Sequence, residues 1–257
     1  MSARIMAHMV SFFPDEARSR EVAQALVEGG AWALEVQFPF SDPTADGPAI
    51  QEACTRALEA GFTVEKGFRF LEWLKGRWPD LPVFLMCYGS IPVRKGVEAF
   101  VARCADLGLE GLIVPDLPPD YDEGLYGAGA RHGVPVVPVV IPQIRGERLS
   151  RILSLSPAYV YAALRKGITG YHTEIGEENL SLLGTLEAAG TRTLAGFGID
   201  SPEQVALLAP HVHAVVVGSA FVRVIASCSG SPAAPLKAKI RELLCSEEGE
   251  PSRVDGI

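Results

Sequence analysis

Short apolar runs alternate with amphipathic, helix-like segments along this whole chain, and that alternation restricts the fold more than any other feature. Apolar strands separated by helical patterns belong to repeated βα units and a parallel sheet. The runs predict strands at Met6–Ser11, Ala33–Gln37, Val83–Cys87, Gly111–Val114, Val134–Val140, Tyr159–Ala163, Thr193–Ala195 and Ala214–Val217. Between them EARSREVAQALVEGG, GVEAFVARCADLG and SPEQVALLA carry helical periodicity, the last opening on a cap-like Ser201 with Pro202 and Glu203 behind it. Eight strands and eight helices fit a single closed (β/α)8 TIM barrel of parallel strands better than an open doubly wound sheet, since no GxGxxG follows the first strand. With 257 residues and 48% hydrophobic content the chain can bury one large core. Residues 1–245 read as one barrel domain, the segment SCSGSPAA as a connection before its last helix, and residues 246–257 as a polar tail.

The stretch Leu34 to Pro48, LEVQFPFSDPTADGP, carries the chemical signal. Glu35 interrupts an apolar run, where an unpaired carboxylate costs several kcal/mol. Asp46 follows in a loop stiffened by Pro39, Pro43 and Pro48, and Pro48 suits the first turn of the next helix. A buried acid at a strand end with a second acid on a rigid strand-to-helix loop is the layout of a general acid/base pair. The same residues also suit plainer roles, Glu35 as a salt-bridge partner and Asp42 and Asp46 as turn or cap residues.

In such barrels the working site lies at the carboxyl ends of the strands. Met86 and Tyr88 close the third strand, Asp116 follows the fourth and Tyr161 lies in the sixth, so these residues join Glu35 and Asp46 as one constellation. Three glycine-containing turns follow in consecutive units: RKGITGYHTEIG with Thr169 and Gly170, AGFGID with Gly196 and Gly198, and VVVGSA with Gly218 and Ser219. Glycines let a backbone approach an anion, and free amides at a helix start supply positive potential, so these turns read as a phosphate site. The net charge of −8 argues against a nucleic-acid or anionic-membrane surface, and any anionic substrate must find its positive potential locally. The five cysteines show no CxxC or Cys/His spacing and read as reduced, mostly buried thiols. No apolar stretch is long enough to span a bilayer, and a cytoplasmic protein with no metal is expected.

The run from Leu34 to Pro48 resembles the signature of the tryptophan synthase α-subunit family, departing clearly only at Gln37, where the family has Gly. The likeness extends from about Met6 to Ile225, with LRKGITG similar to the family's mobile loop and GFGIDSPEQV and VVVGSAFV similar to its phosphate segments. The resemblance implies retro-aldol cleavage of indole-3-glycerol phosphate to indole and glyceraldehyde 3-phosphate, the last stage of tryptophan biosynthesis. It assigns catalysis to Glu35 and Asp46, the substrate pocket to Tyr161, and phosphate to Gly170, Gly198, Gly218 and Ser219. Thr169 would engage Asp46 on loop closure, and Arg165 belongs to that loop. It implies no cofactor in this chain and a β-subunit partner carrying pyridoxal phosphate (PLP) in an α2β2 tetramer, touched by Pro39–Pro43 with Asp42 as a signalling residue.

Further departures are Ser90 where Asn is expected, Gln143 where Thr is commoner, and HMVSFFPD, which lacks the usual Thr and Gly. The sequence also reaches its first strand without the family's leading helix. Gln37 shares a strand face with Glu35, so its amide is expected to bond Glu35 or crowd the indole. A catalytically weak regulatory subunit that activates β, or another phosphosugar enzyme of the same architecture, are the competing readings.

Overall fold

A computed structural model describes residues 3–144, 146–164 and 175–245. In chain order the elements are β1 (Ile5–Val10), α1 (Glu16–Gly29), β2 (Ala33–Gln37), α2 (Pro48–Glu59), α3 (Val64–Arg77), β3 (Val83–Met86), α4 (Ser90–Lys95) and α5 (Val97–Asp106). They continue as β4 (Gly111–Ile113), α6 (Leu125–His132), β5 (Val136–Val137), β6 (Val139–Val140), α7 (Gly146–Ser154), β7 (Tyr159–Ala163) and α8 (Glu177–Ala188). The last are β8 (Arg192–Gly196), α9 (Pro202–Leu208), β9 (Ala214–Val217), α10 (Ser219–Ser227) and α11 (Ala233–Leu244).

All strand pairs are parallel, in the order β5-β4-β3-β2-β1-β9-β8-β7-β6. The sheet has 9 strands rather than eight because Pro138 interrupts the fifth predicted run. Proline has no N–H to give to a ladder. Its carbonyl still accepts from the Tyr161 amide at 2.9 Å, so β5 borders β4 while β6 borders β7. One interrupted strand thus joins both edges, and the sheet becomes a nearly closed barrel.

The expectation of one helix per strand also needs correction. Two helices follow each of β2, β3 and β9. After α2 the chain restarts at Thr63, whose hydroxyl caps α3 by accepting from the Lys66 amide at 3.3 Å. Between α4 and α5 stands Gly96 at φ 84°, a left-handed backbone that ends one helix and begins the other. Pro48 does open α2, and Ser201 caps α9. The residue completing that capping box is Gln204 rather than Glu203, since only the third helical position reaches back to the cap amide.

Strand alternation sorts the core into two layers. Leu34, Val36, Phe38 and Leu85 face outward to the helices. Met6, Ala33, Phe84, Met86, Tyr161, Leu194 and Val216 fill the barrel. Glu35 and Gln37 are in step with Ala33 and therefore point into the barrel. Among the described residues no helix is long and apolar enough to cross a membrane. Cys54, Cys87 and Cys104 are buried thiols, while Cys228 is half-buried and Cys245 exposed.

Candidate active site

Glu35 occupies the middle of β2 rather than its end, with only 4% of its surface exposed. Its register partner on β1 is His8, itself 5% exposed. His8 Nδ1 lies 3.3 Å from Glu35 Oε2, close enough for charge attraction but not aligned as a hydrogen bond, and among the described residues neither Glu35 Oε2 nor His8 Nε2 has a hydrogen-bond partner. Burial works against a charged imidazole here, but the Glu35 carboxylate, with Asp46 behind it, outweighs that and raises the His8 pKa above the ordinary 6.5.

Asp46 is buried where the loop after β2 turns back over the barrel mouth. Its Oδ2 accepts from Gln37 Nε2 at 2.8 Å and from Tyr88 Oη at 2.9 Å. The loop itself is fastened: Gln51 Nε2 donates to the Asp46 carbonyl at 2.8 Å, and the Ala45 amide donates to Tyr88 Oη at 3.0 Å. Burial pushes the Asp46 pKa up; His8 and the hydrogen bonds from Gln37 and Tyr88 partly offset it. The Gln37 amide therefore serves Asp46 and not Glu35, correcting the expectation from strand alternation. It stands one pleat nearer the barrel mouth than Glu35, level with the returning loop. Its Oε1 is buried without a partner among the described residues.

His8, Glu35, Asp46, Met86 and Tyr161 line one cavity with Gly198, Gly218 and Ser219. Ile50, Ile113, Pro115 and Val139 add apolar walls suited to a flat ring. Tyr88 stands behind Asp46 and does not line the cavity; its ring stacks on Phe40 at 5.1 Å. Asp116 also lies off the lining, its Oδ1 accepting from the Gly89 amide at 2.8 Å. Thr169, Gly170 and Arg165 lie outside the described residues.

Gly218 and Ser219, which also line the cavity, form the junction of β9 with the 9-residue helix α10. Phe197, at φ 95°, and Gly198, at φ 74°, shape the turn after β8. The Phe197 ring meets Tyr161 edge-on at 6.2 Å and forms part of the cavity wall.

This chain's residues 2–248 match the family model of the tryptophan synthase alpha chain. The chain belongs to the tryptophan synthase alpha chain family. It is 35% identical over 232 residues to the tryptophan synthase alpha chain of Helicobacter hepaticus, covering 88% of this chain and 87% of that one. The alpha chain of Syntrophotalea carbinolica is 37% identical over 240 residues, 93% of each. Among solved structures, tryptophan synthase of Mycobacterium tuberculosis superposes with a TM-score of 0.84 at 32% identity, covering 95% of this chain and 91% of that one. The tryptophan synthase complex of Pyrococcus furiosus superposes with a TM-score of 0.85 at 30% identity, covering 95% and 98%.

Tryptophan synthase alpha chains are carbon–carbon lyases of tryptophan biosynthesis that cleave indole-3-glycerol phosphate, and this chain shares that activity and the TIM barrel that carries it. Against the family signature, Gln37 is the residue that alters the site, by adding a donor to Asp46. His8 and Phe197 are among the cavity residues that the sequence did not single out. Phe197 lies inside the quoted AGFGID turn but offers no polar signal. His8 carried the same signal as Glu35, a polar residue two positions along a buried run, and could have been found by it.

Proposed function

We propose that Glu35 is the acid/base of indole-3-glycerol phosphate cleavage and Asp46 the anion that stabilises its cationic ring. The observation that carries this is the meeting of both buried carboxyls in one apolar-walled cavity that two glycine turns also line. Glu35 in its acid form protonates indole C3, and the ring becomes cationic. The ring N–H grows acidic and donates to Asp46, an acceptor held in place by Gln37 and Tyr88. The Glu35 carboxylate then takes the proton of the hydroxyl next to the ring. That O–H pair forms the aldehyde C=O, the C–C bond breaks, and its electrons restore neutral indole. Glu35 ends as it began, carrying one proton.

Gly198, Gly218 and Ser219 bind the phosphate through backbone amides and the start of α10, Gly170 joins them from the segment after β7, and Thr169 of that segment engages Asp46. Tyr161 and Met86 line the ring pocket. Tyr88 and Asp116 support the site through Asp46 and Gly89 rather than by touching substrate. The indole is passed to a PLP-dependent β-subunit in a cytoplasmic α2β2 tetramer. The chain needs no cofactor of its own. The β contact includes the Pro39–Pro43 stretch, where Ser41 and Asp42 are exposed.

The test is indole release from indole-3-glycerol phosphate by the purified chain, with and without a matched β-subunit, beside Glu35→Gln. Activity that rises with β and falls about a hundred- to ten-thousandfold in Glu35→Gln is the expected result. Indole release unaffected by Glu35→Gln overturns the assignment, and a wild-type chain that stimulates β without releasing indole is a regulatory subunit.

A further inference from the structure

We propose that His8 is a third polar member of the lyase site, pairing through Nδ1 with Glu35 and presenting Nε2 to the glycerol-phosphate half of the substrate. The inference deepens the proposed function and rests on its reading of Glu35 as the acid/base. Three observations support it. His8 is 5% exposed and its Nε2 has no hydrogen-bond partner among the described residues, although the ring lines the substrate cavity. A buried imidazole N–H left unpaired costs free energy that a substrate oxygen would recover. On its other flank the ring lies against the phosphate turn, for a Cβ placed on Gly218 would come within 3.3 Å of His8 Cβ, Cγ and Cδ2. Cδ2 is bonded to Nε2, so the free nitrogen sits on the side of the ring nearest that turn.

Charge points the same way. The chain carries a net charge of −8, and the site must accept an anionic phosphate beside two carboxyl groups. Among the described residues lining the cavity, His8 alone can carry a positive charge. A cation placed between Glu35 and the Gly218 turn attracts the substrate anion, and it stabilises the carboxylate that Glu35 becomes once it has protonated the ring.

The groups facing His8 are few. From β2 it meets Glu35, Asp46 follows on the loop after β2, and β9 presents the uncharged Gly218. Tyr161 is the remaining titratable group on the cavity wall, and its burial keeps it neutral far above physiological pH. When ionised, both acids favour the charged imidazole, so the cation persists to higher pH than in an ordinary histidine. It is lost as pH rises through a value above 6.5. Substrate affinity falls across that same range.

The experiment follows the His8 ring by NMR in the full chain, alone and with glyceraldehyde 3-phosphate, and records pH profiles for wild type, His8→Phe and His8→Gln. Binding of the phosphate-bearing product raises the imidazole pKa, and Glu35→Gln lowers it. His8→Phe raises KM about ten- to a hundredfold and removes the alkaline limb of kcat/KM. His8→Gln restores part of the affinity through its amide N–H but not the alkaline limb. An imidazole that does not respond to the product, or a His8→Phe profile that keeps wild-type KM and both limbs, overturns the proposal. If His8→Phe fails to fold, the wild-type titration still decides. Loss of activity in Glu35→Gln together with a silent His8 leaves the acid/base reading intact and removes His8 alone.

Discussion

The two mouths of the barrel are built on opposite terms. At the amino ends of the strands, polar groups are matched to one another. Tyr159 Oη donates to Glu110 Oε1 at 2.6 Å and accepts from Arg192 Nη1 at 2.9 Å, while the Arg192 guanidinium lies 4.3 Å over the Tyr159 ring. His213 meets Trp32 edge-on at 4.9 Å, and Arg4 covers the same indole at 6.0 Å. Toward the carboxyl ends, His8 Nε2, Glu35 Oε2 and Gln37 Oε1 are buried without partners among the described residues. Native proteins rarely leave such groups unmatched away from a working site. The amino-end floor is a stabilising plug, and the carboxyl-end mouth keeps its polar capacity for the substrate.

One histidine at each end makes the contrast concrete. His213 has its pKa lowered by burial and by the cations of Arg4 and Arg192. His8, more deeply buried, has its pKa raised because carboxylates surround it. Burial lowers both; the outcomes differ because carboxylates overcome it at His8 while cations add to it at His213.

The largest effect that would break this contrast is expected from Asp46→Asn. It should lower kcat about a hundred- to a thousandfold, since an amide cannot match a full anion at a developing cation. The thermal midpoint should change little, and a protein that loses stability in step with activity would make Asp46 structural. At the floor, Tyr159→Phe should do the reverse. Loss of its hydrogen bonds to Glu110 and Arg192 costs about 1–2 kcal/mol in denaturant unfolding, with kcat unchanged. A fall in kcat there would mean that the floor also tunes the site.

A smaller effect sharpens the picture of the mouth. Gln37→Gly removes a donor that favours ionised Asp46, so the Asp46 pKa, already raised, rises further. The acid limb of the activity profile should move to higher pH, with less than about a tenfold loss at neutral pH. An acid limb that stays in place would show that Gln37 contributes space-filling only. The smallest effect concerns His213. Its depressed pKa means the unfolded chain binds a proton that the folded chain refuses, so stability falls as pH drops below 6.5. His213→Gln should flatten that part of the stability–pH curve by about 1 kcal/mol or less, measured as unfolding midpoints across pH.

Much of this was legible in the sequence. The alternation of apolar and amphipathic runs specified parallel βα units, because strands covered on both faces must be apolar throughout. Pro48 marked the start of α2, and Glu35 and Asp46 stood out because a carboxylate in an apolar run or a proline-stiffened loop needs a reason. Those are local statements, settled by propensity and desolvation along the chain. What only the tertiary structure decided is which groups meet. Pro138 shows a missing donor in any reading, but only closure of the sheet reveals that the two halves of its strand serve opposite neighbours. The Gln37 amide turned to Asp46 rather than Glu35 because a loop nine residues on folds back beside it. His8 reaches the cavity beside Glu35 because parallel register sets the two side by side, and Gly218 has no Cβ to crowd its ring. Hydrogen bonds and charge pairs act over a few ångströms in space, and distances of that kind between remote residues are set by packing rather than by sequence order.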